Sequence, residues 1–177
     1  MSATPGAGED QDRRLVLLRH AKSSWEDDLP DVERPLAPRG RRDAAEAGRW
    51  LAAHVGPPDL VLCSTAVRTR HTWARVVEAE PDVLGPVPVR LEPSIYEAWS
   101  DTLLELARGL ADDVGTAVLV GHGPGLPELA ERLNRGAGSG PLPAFKTSAV
   151  AVFAVAGPWR TLDPGTAVLT DFALPRG

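Results

Sequence analysis

Two of the four histidines in this 177-residue chain end short apolar runs: "LVLLRH" closes on His20 and "AVLVGH" closes on His122. Arg19 stands directly before the first of them. Arg68 falls in the opening turn of a helical stretch that follows a third apolar run, "DLVLCS". Two imidazoles and two guanidiniums form a positive, compact set that can donate paired N–H bonds, which suits a phosphoryl group. The set holds no carboxylate, so it does not suit a hard cation, which takes oxygen ligands; no metal and no cofactor are expected. A neutral imidazole is also a competent nucleophile toward phosphorus. Neighbouring guanidinium charge disfavours the imidazolium form and keeps such a nucleophile unprotonated.

These side chains can meet only if the runs that carry them are strands of one sheet. Leu15 to Leu18 is apolar without a break, the pattern of a strand covered on both faces. "KSSWEDDLPDVERPLAP" follows as a polar, proline-marked loop. From Arg39 to Val55 the residues Ala44, Ala47, Leu51 and Val55 recur every three or four positions, which predicts a helix. Pro38 suits its first turn, and Gly56-Pro57-Pro58 stops it. Asp59 to Ser64 is the next strand. Thr65 or Ser64 caps a helix running to about Glu78, with Ala66, Trp73, Val76 and Val77 facing inward. Val87 to Leu91 is a third, weaker strand. "SDTLLELARGLADD" is a helix with Thr102 and Glu105 at capping-box spacing. "TAVLVG" is the fourth strand. "LPELAERLN" is a helix with Leu126, Leu129, Ala130 and Leu133 on one face, and Gly136 sits where a C-terminal cap belongs. After the flexible "GAGSGPLP", the stretches "SAVAVFAV" and "AVLTDFAL" are β-like with no helix pattern between them.

Strand alternating with helix predicts a three-layer α/β/α sandwich around a mostly parallel central sheet, with antiparallel C-terminal edge strands. Ligands of such open sheets bind beyond the carboxyl ends of the parallel strands. His20, His122 and Arg68 all fall on that rim, where helix N-termini add backbone N–H donors.

Composition sets the bounds. The chain is 43% hydrophobic and 24% charged, enough for a packed core. Its length predicts one domain, residues 13–177, behind a loose tail at 1–12. A formal net charge of −5 argues against broad nucleic-acid binding, so any anion site must be a local cluster of Arg and His. The lone cysteine, Cys63, excludes an intrachain disulfide and a cysteine-built zinc site. "MSATPGAGEDQD" has no apolar h-region, and no run reaches the ~18 apolar residues of a membrane helix. A soluble, cytoplasmic protein is expected, with neither membrane nor nucleic acid as partner.

Five motifs occur in order: "LVLLRHAKSSW", "ERPLAPRGRRDA", "STAVRTRHT", "IYEA" and "LVGHGPGL". In this the chain resembles the histidine phosphatase (phosphoglycerate mutase-like) superfamily over about residues 14 to 155. The short length and the wording "RHAKSSW" are similar to its SixA-type phosphohistidine phosphatase branch. The resemblance implies that His20 is the nucleophile and forms a phosphohistidine. It implies that Arg19, Arg68 and His122 clamp the phosphoryl oxygens and stabilise the transition state. Glu97, in "IYEA", matches the proton donor to the leaving group, and Ser23 lies where family members line the pocket. Water then hydrolyses the phosphoenzyme without a metal. Two departures stand out: Ala21 replaces a frequent glycine, and Ala37 replaces a threonine, at a cost of roughly 1 kcal/mol in lost helix capping.

Plainer roles are set beside these. A histidine at a strand end is commonly just a satisfied rim residue, and "GHGPG" alone could be a glycine turn; it lacks GxGxxG spacing and a following GK[ST]. Arg70 and Arg75 are read as solvated helix arginines and His71 as a surface residue. His54, near a helix C-terminus, suits the local dipole. Glu92, Glu26, Asp27 and Asp28 rival Glu97 as acid. Trp25 and Trp99 are placed at the pocket wall, Trp50 and Trp73 against the sheet, and Cys63 in the core. The expected activity is a metal-independent phosphatase acting on a phosphohistidine protein or a small phosphorylated metabolite. A mutase would need a closing lid, for which the chain has no long insertion. A phosphoryl-binding module without turnover would need only the arginines, so an intact His20 argues against it.

Overall fold

Side-chain alternation along the first strand decides the architecture. In β1 (Arg13–Arg19), Leu15 and Leu17 enter one apolar cluster while Val16 and Leu18 enter another, and all four are fully buried. The first cluster is closed by α4 (Ser100–Arg108) and α5 (Gly125–Leu133), with Trp159 beneath them. The second is closed by α1 (Pro38–His54), α2 (Val67–Ala79) and the four-residue α3 (Pro81–Leu84). Three layers result, as the strand–helix alternation predicts. Each fully buried Leu or Val adds about 1.5–3 kcal/mol. The computed structural model describes residues 12–25 and 28–177, so most of the expected tail and the rival acids Glu26 and Asp27 lie outside the described residues.

The sheet has six strands in the order β3-β2-β4-β1-β5-β6. β2 (Leu60–Cys63), β3 (Val89–Leu91) and β4 (Thr116–Gly121) run parallel with β1. β5 (Val150–Val155) pairs antiparallel with β1, and β6 (Ala167–Ala173) pairs antiparallel with β5. Among the described residues no helix is long and apolar enough to cross a membrane.

Several helix ends differ from their sequence signals. Ala66, not Ser64 or Thr65, is the N-cap of α2, and no side chain caps it. Trp99 is the N-cap of α4, which puts Thr102 inside the helix and dissolves the expected capping box. α5 ends at Leu133 with Asn134 as its C-cap. Gly136 is not needed there, because the Gly165 N–H, arriving from the β5–β6 connection, donates to the Arg132 carbonyl (3.0 Å). That connection also holds a 3-10 turn at Trp159–Thr161, and α3 too went unforeseen; both are too short to show a period.

The polar loop after β1 folds back on itself. Ser23 pairs with Leu36 in an antiparallel bridge, and Ala37 N–H donates to Lys22 O at 2.9 Å. Gly40 makes this possible: a Cβ there would lie 2.0 Å from Lys22 O, so the first turn of α1 packs directly on the chain leaving β1. The fold-back carries a second 3-10 turn, Asp31–Glu33, to the sheet's carboxyl rim.

Candidate active site

Strand register brings the two histidines together. β1 and β4 are adjacent and parallel, with Arg19 opposite Gly121, so the next residue of each strand is a histidine. His20 N–H donates to Gly121 O at 3.0 Å. The ring centroids lie 5.3 Å apart at 51°, and each residue keeps 8% of its surface exposed.

The two rings are held by opposite nitrogens. His20 Nδ1 is 2.8 Å from Ala21 O. A carbonyl only accepts, so Nδ1 carries the proton and the Nε2 lone pair stays free. Burial pushes the His20 pKa down to about 4, opposed by the bond to Ala21 O and reinforced by Arg68, Arg19 and Arg34. Burial thus leads and guanidinium charge follows, the reverse of the emphasis the sequence invites. His122 Nε2 lies 2.8 Å from Ser64 Oγ, while its buried Nδ1 has no partner among the described residues. Ser64 is fully buried and accepts the Ala66 N–H (3.3 Å); among the described residues His122 Nε2 is the one acceptor within reach of its hydroxyl proton, so that proton goes to Nε2 and the imidazole proton sits on Nδ1. Burial, then the charges of His20 and Arg68, takes the His122 pKa down to about 3.

Two arginines flank the pair. Arg19 Nη1 donates to Phe145 O at 2.8 Å, and its buried Nε has no partner among the described residues. Gly123 lies against the same guanidinium: a Cβ there would be 3.0 Å from both Cζ and Nη2. Arg68, in the first turn of α2, is buried. It donates from Nη1 to Asp31 O (2.7 Å) and from Nη2 to Asp31 Oδ2 (3.1 Å). Thr72, one turn on, ties α2 to the segment that follows His20: its hydroxyl donates to Arg68 O and accepts the Ala21 N–H.

A third arginine, absent from the expected set, completes the wall. Arg34 is buried and donates to Asp31 Oδ1 (3.0 Å), Ser24 O (3.2 Å) and Ser23 Oγ. Ser23 therefore acts on Arg34. Trp25, largely exposed, covers that guanidinium, with Cζ 3.2 Å from the ring centroid. Tyr96 sets its ring edge-on to His122 (5.7 Å) and donates its hydroxyl to Asp31 Oδ2 (2.8 Å). That bond, with Arg68 and Arg34, holds the Asp31 carboxyl below its ordinary range against the opposing effect of burial.

Glu97 follows Tyr96 and is exposed, with φ of +59°. Its neighbour, not Glu97 itself, meets His122. A non-glycine residue in the left-handed region is strained and is held there by its surroundings. Of its rivals, Glu92 accepts from both Ser94 N–H and Ser94 O–H, and Asp28 is exposed. Trp99 is exposed at the start of α4 rather than enclosed. Away from the rim, Trp73 is buried, and the half-buried Trp50 stacks on His54 at 4.5 Å. Cys63 is buried, with its thiol pushed up to about 12 chiefly by burial. His71, Arg70 and Arg75 are exposed.

Asp31, Arg34, Ser64, Thr72 and Tyr96 were not marked as site residues by the sequence. Arg34, Thr72 and Tyr96 stood inside quoted motifs without a role, and Ser64 stood there only as a helix-cap candidate; Asp31 had no signal beyond its place in a polar loop. Together the rim offers one free imidazole lone pair, one imidazole N–H donor and three guanidiniums. This arrangement can receive a phosphoryl group and transfer it to nitrogen.

The profile of the histidine phosphatase superfamily (branch 1) matches residues 15–123. An uncharacterized protein of Mycobacterium tuberculosis strain H37Rv is 40% identical over 166 residues, covering 90% of this chain and 100% of its own. The solved structure of a protein assigned as the phosphohistidine phosphatase SixA of Nakamurella multipartitia superposes with a TM-score of 0.80 at 32% identity, covering 96% of this chain and 98% of the other. A 2,3-bisphosphoglycerate-dependent phosphoglycerate mutase of Nitrobacter winogradskyi is 34% identical over 91 residues, which are 49% of this chain and 42% of that one.

Proposed function

The chain belongs to the histidine phosphatase superfamily (branch 1), and on that premise we propose that it is a SixA-type phosphatase working through a phosphohistidine on His20. The pairing of Arg19 with Gly121 carries this reading, because it sets a free Nε2 lone pair beside a second imidazole and a guanidinium wall. In the first step His20 Nε2 attacks phosphorus and the bond from phosphorus to the leaving group breaks. Arg19, Arg68, Arg34 and the Nδ1–H of His122 take up the charge on the three phosphoryl oxygens. Glu97 gives its proton to the departing atom. In the second step water attacks, its proton passes to Glu97, the P–N bond breaks, and inorganic phosphate and free His20 return. The guanidiniums supply the positive charge, so no step draws on a metal.

The favoured substrate is a phosphohistidine protein, in which the bond broken is P–N and the leaving group is an imidazole. The likeness to the SixA protein of Nakamurella multipartitia supports this choice. The test is phosphate release from p-nitrophenyl phosphate and from a protein phosphorylated on histidine, with chelator present. Wild type should release phosphate from both and pass through an alkali-stable, acid-labile phosphoenzyme that His20→Ala never forms. No release by wild type would defeat the reading. The partial match to a phosphoglycerate mutase favours one rival, and exchange between phosphoglycerate isomers without net hydrolysis would establish it.

A further inference from the structure

The donor count around Asp31 is unusual. One carboxylate, with its own main-chain carbonyl, takes up both terminal nitrogens of Arg68, one terminal nitrogen of Arg34 and the Tyr96 hydroxyl. These donors come from α2, from the fold-back after β1 and from the turn after β3. A phosphoryl group makes the same demand: oxygens that accept from converging guanidiniums. We propose that Asp31 is an internal counter-anion of the phosphoryl pocket, competing with phosphate for Arg68 and so setting how readily the product leaves. The inference rests on the phosphatase reading given above.

Three observations carry it. First, the two clamp arginines are anchored differently. Arg19 is held by a neutral carbonyl, Phe145 O, which does not repel an anion. Arg68 is held by a carboxylate, which does. Second, the charges balance. Three guanidiniums and one carboxylate leave two net positive charges beside two neutral imidazoles, the complement of a phosphate dianion. Without Asp31 the pocket would over-bind its own product. Third, half of the Asp31 side-chain surface is exposed, whereas Arg68 and Arg34 are 9% exposed at their side chains. The carboxylate can turn to water when phosphate displaces it, while the buried arginines stay in place. A fully buried carboxylate, once displaced, would be left as an unpaired charge away from water, at large cost.

A purely structural role would have the opposite sign. If Asp31 only propped Arg68, losing its charge would loosen the clamp and weaken anion binding. The test is Asp31→Asn, which keeps the shape and removes the charge, with Asp31→Glu as the charge-retaining control. Affinity for inorganic phosphate and for tungstate is read by titration calorimetry, alongside steady-state kinetics on p-nitrophenyl phosphate. Asp31→Asn should bind phosphate about tenfold more tightly, with kcat lowered and kcat/KM held or raised as release slows. Asp31→Glu retains the charge and should bind phosphate clearly more weakly than Asp31→Asn does. Unchanged or weaker phosphate affinity in an Asp31→Asn protein with a wild-type circular dichroism spectrum would overturn the proposal, as would Asp31→Glu binding phosphate as tightly as Asp31→Asn. Calorimetry needs no turnover, so a wild type that binds phosphate but hydrolyses nothing would sink the phosphatase reading while leaving this competition measurable.

Discussion

His20 and His122 close the same kind of strand, one residue past a register pair, at equal burial, yet they are fixed by opposite nitrogens. The anchor at the end of β1 is a main-chain carbonyl, which can only accept; it leaves His20 Nε2 with a lone pair. The anchor at the end of β4 is a fully buried serine hydroxyl whose proton has that ring nitrogen as its acceptor; it leaves His122 Nδ1 with a proton. Two identical side chains thus present a free lone pair at one strand end and an N–H donor at the other, which under the proposed function are the nucleophile and the oxyanion donor. The distinction is made by the atom behind each ring.

If the assignment is right, the two alanine variants should fail unequally. His20→Ala should lose on the order of 10⁴-fold or more in kcat, because the second imidazole at the rim, His122, has its Nε2 tied to Ser64 Oγ and cannot replace the nucleophile. His122→Ala should lose about 10²–10³-fold, the scale for removing one donor to a developing oxyanion. It should still form the phosphoenzyme, slowly, in single-turnover quench experiments. A phosphoenzyme formed by His20→Ala but not by His122→Ala would exchange the two roles.

The sequence exposes these two residues and their arginines for a physical reason. A histidine that ends an unbroken apolar strand is carried to the sheet's carboxyl rim, and parallel neighbours then bring two such residues side by side. The three layers and the mostly parallel sheet were legible for the same reason, since burial on both faces leaves residues 15–18 and 117–120 without polar breaks; the strand order was not, because periodicity does not say which strands are neighbours. Asp31 and Tyr96 were not. Asp31 sits 37 residues before Arg68 and 65 before Tyr96, both in turns with no period; the fold-back and the close packing at Gly40 bring Asp31 to the rim, and the turn after β3 brings Tyr96. Ser64 was misread as a helix cap because its residue type fits that place; the tertiary bond to His122 takes it instead. Glu97 entered through resemblance alone, and its exposed, left-handed backbone is a feature no spacing could have announced.

A finer cut at the comparison goes through Ser64 itself. Ser64→Ala removes the bond that fixes the His122 tautomer and lets the proton migrate to Nε2. One hydrogen bond of about 1–1.5 kcal/mol corresponds to a loss of roughly tenfold in kcat. KM for p-nitrophenyl phosphate should change less, because the arginines still bind the ground state. A KM effect larger than the kcat effect would mean that Ser64 serves binding rather than the orientation of His122.

The smallest expected effect is the flat part of a titration. The folded pKa values of His20 and His122 lie near 4 and 3, against the ordinary 6.5, so both rings stay neutral from pH 8 down to about 5. Carbon-edited NMR of the two imidazoles should therefore show almost no shift change across that range. Stability follows the same sign. Between 6.5 and about 4 the unfolded chain binds protons that the folded one refuses, so stability is level above pH 6.5 and declines as pH falls through that window. A midpoint near 6.5 at His20 would mean that its lone pair is half lost close to neutrality. The difference between the two strand ends would then rest on hydrogen bonds alone, without the burial that keeps both rings unprotonated.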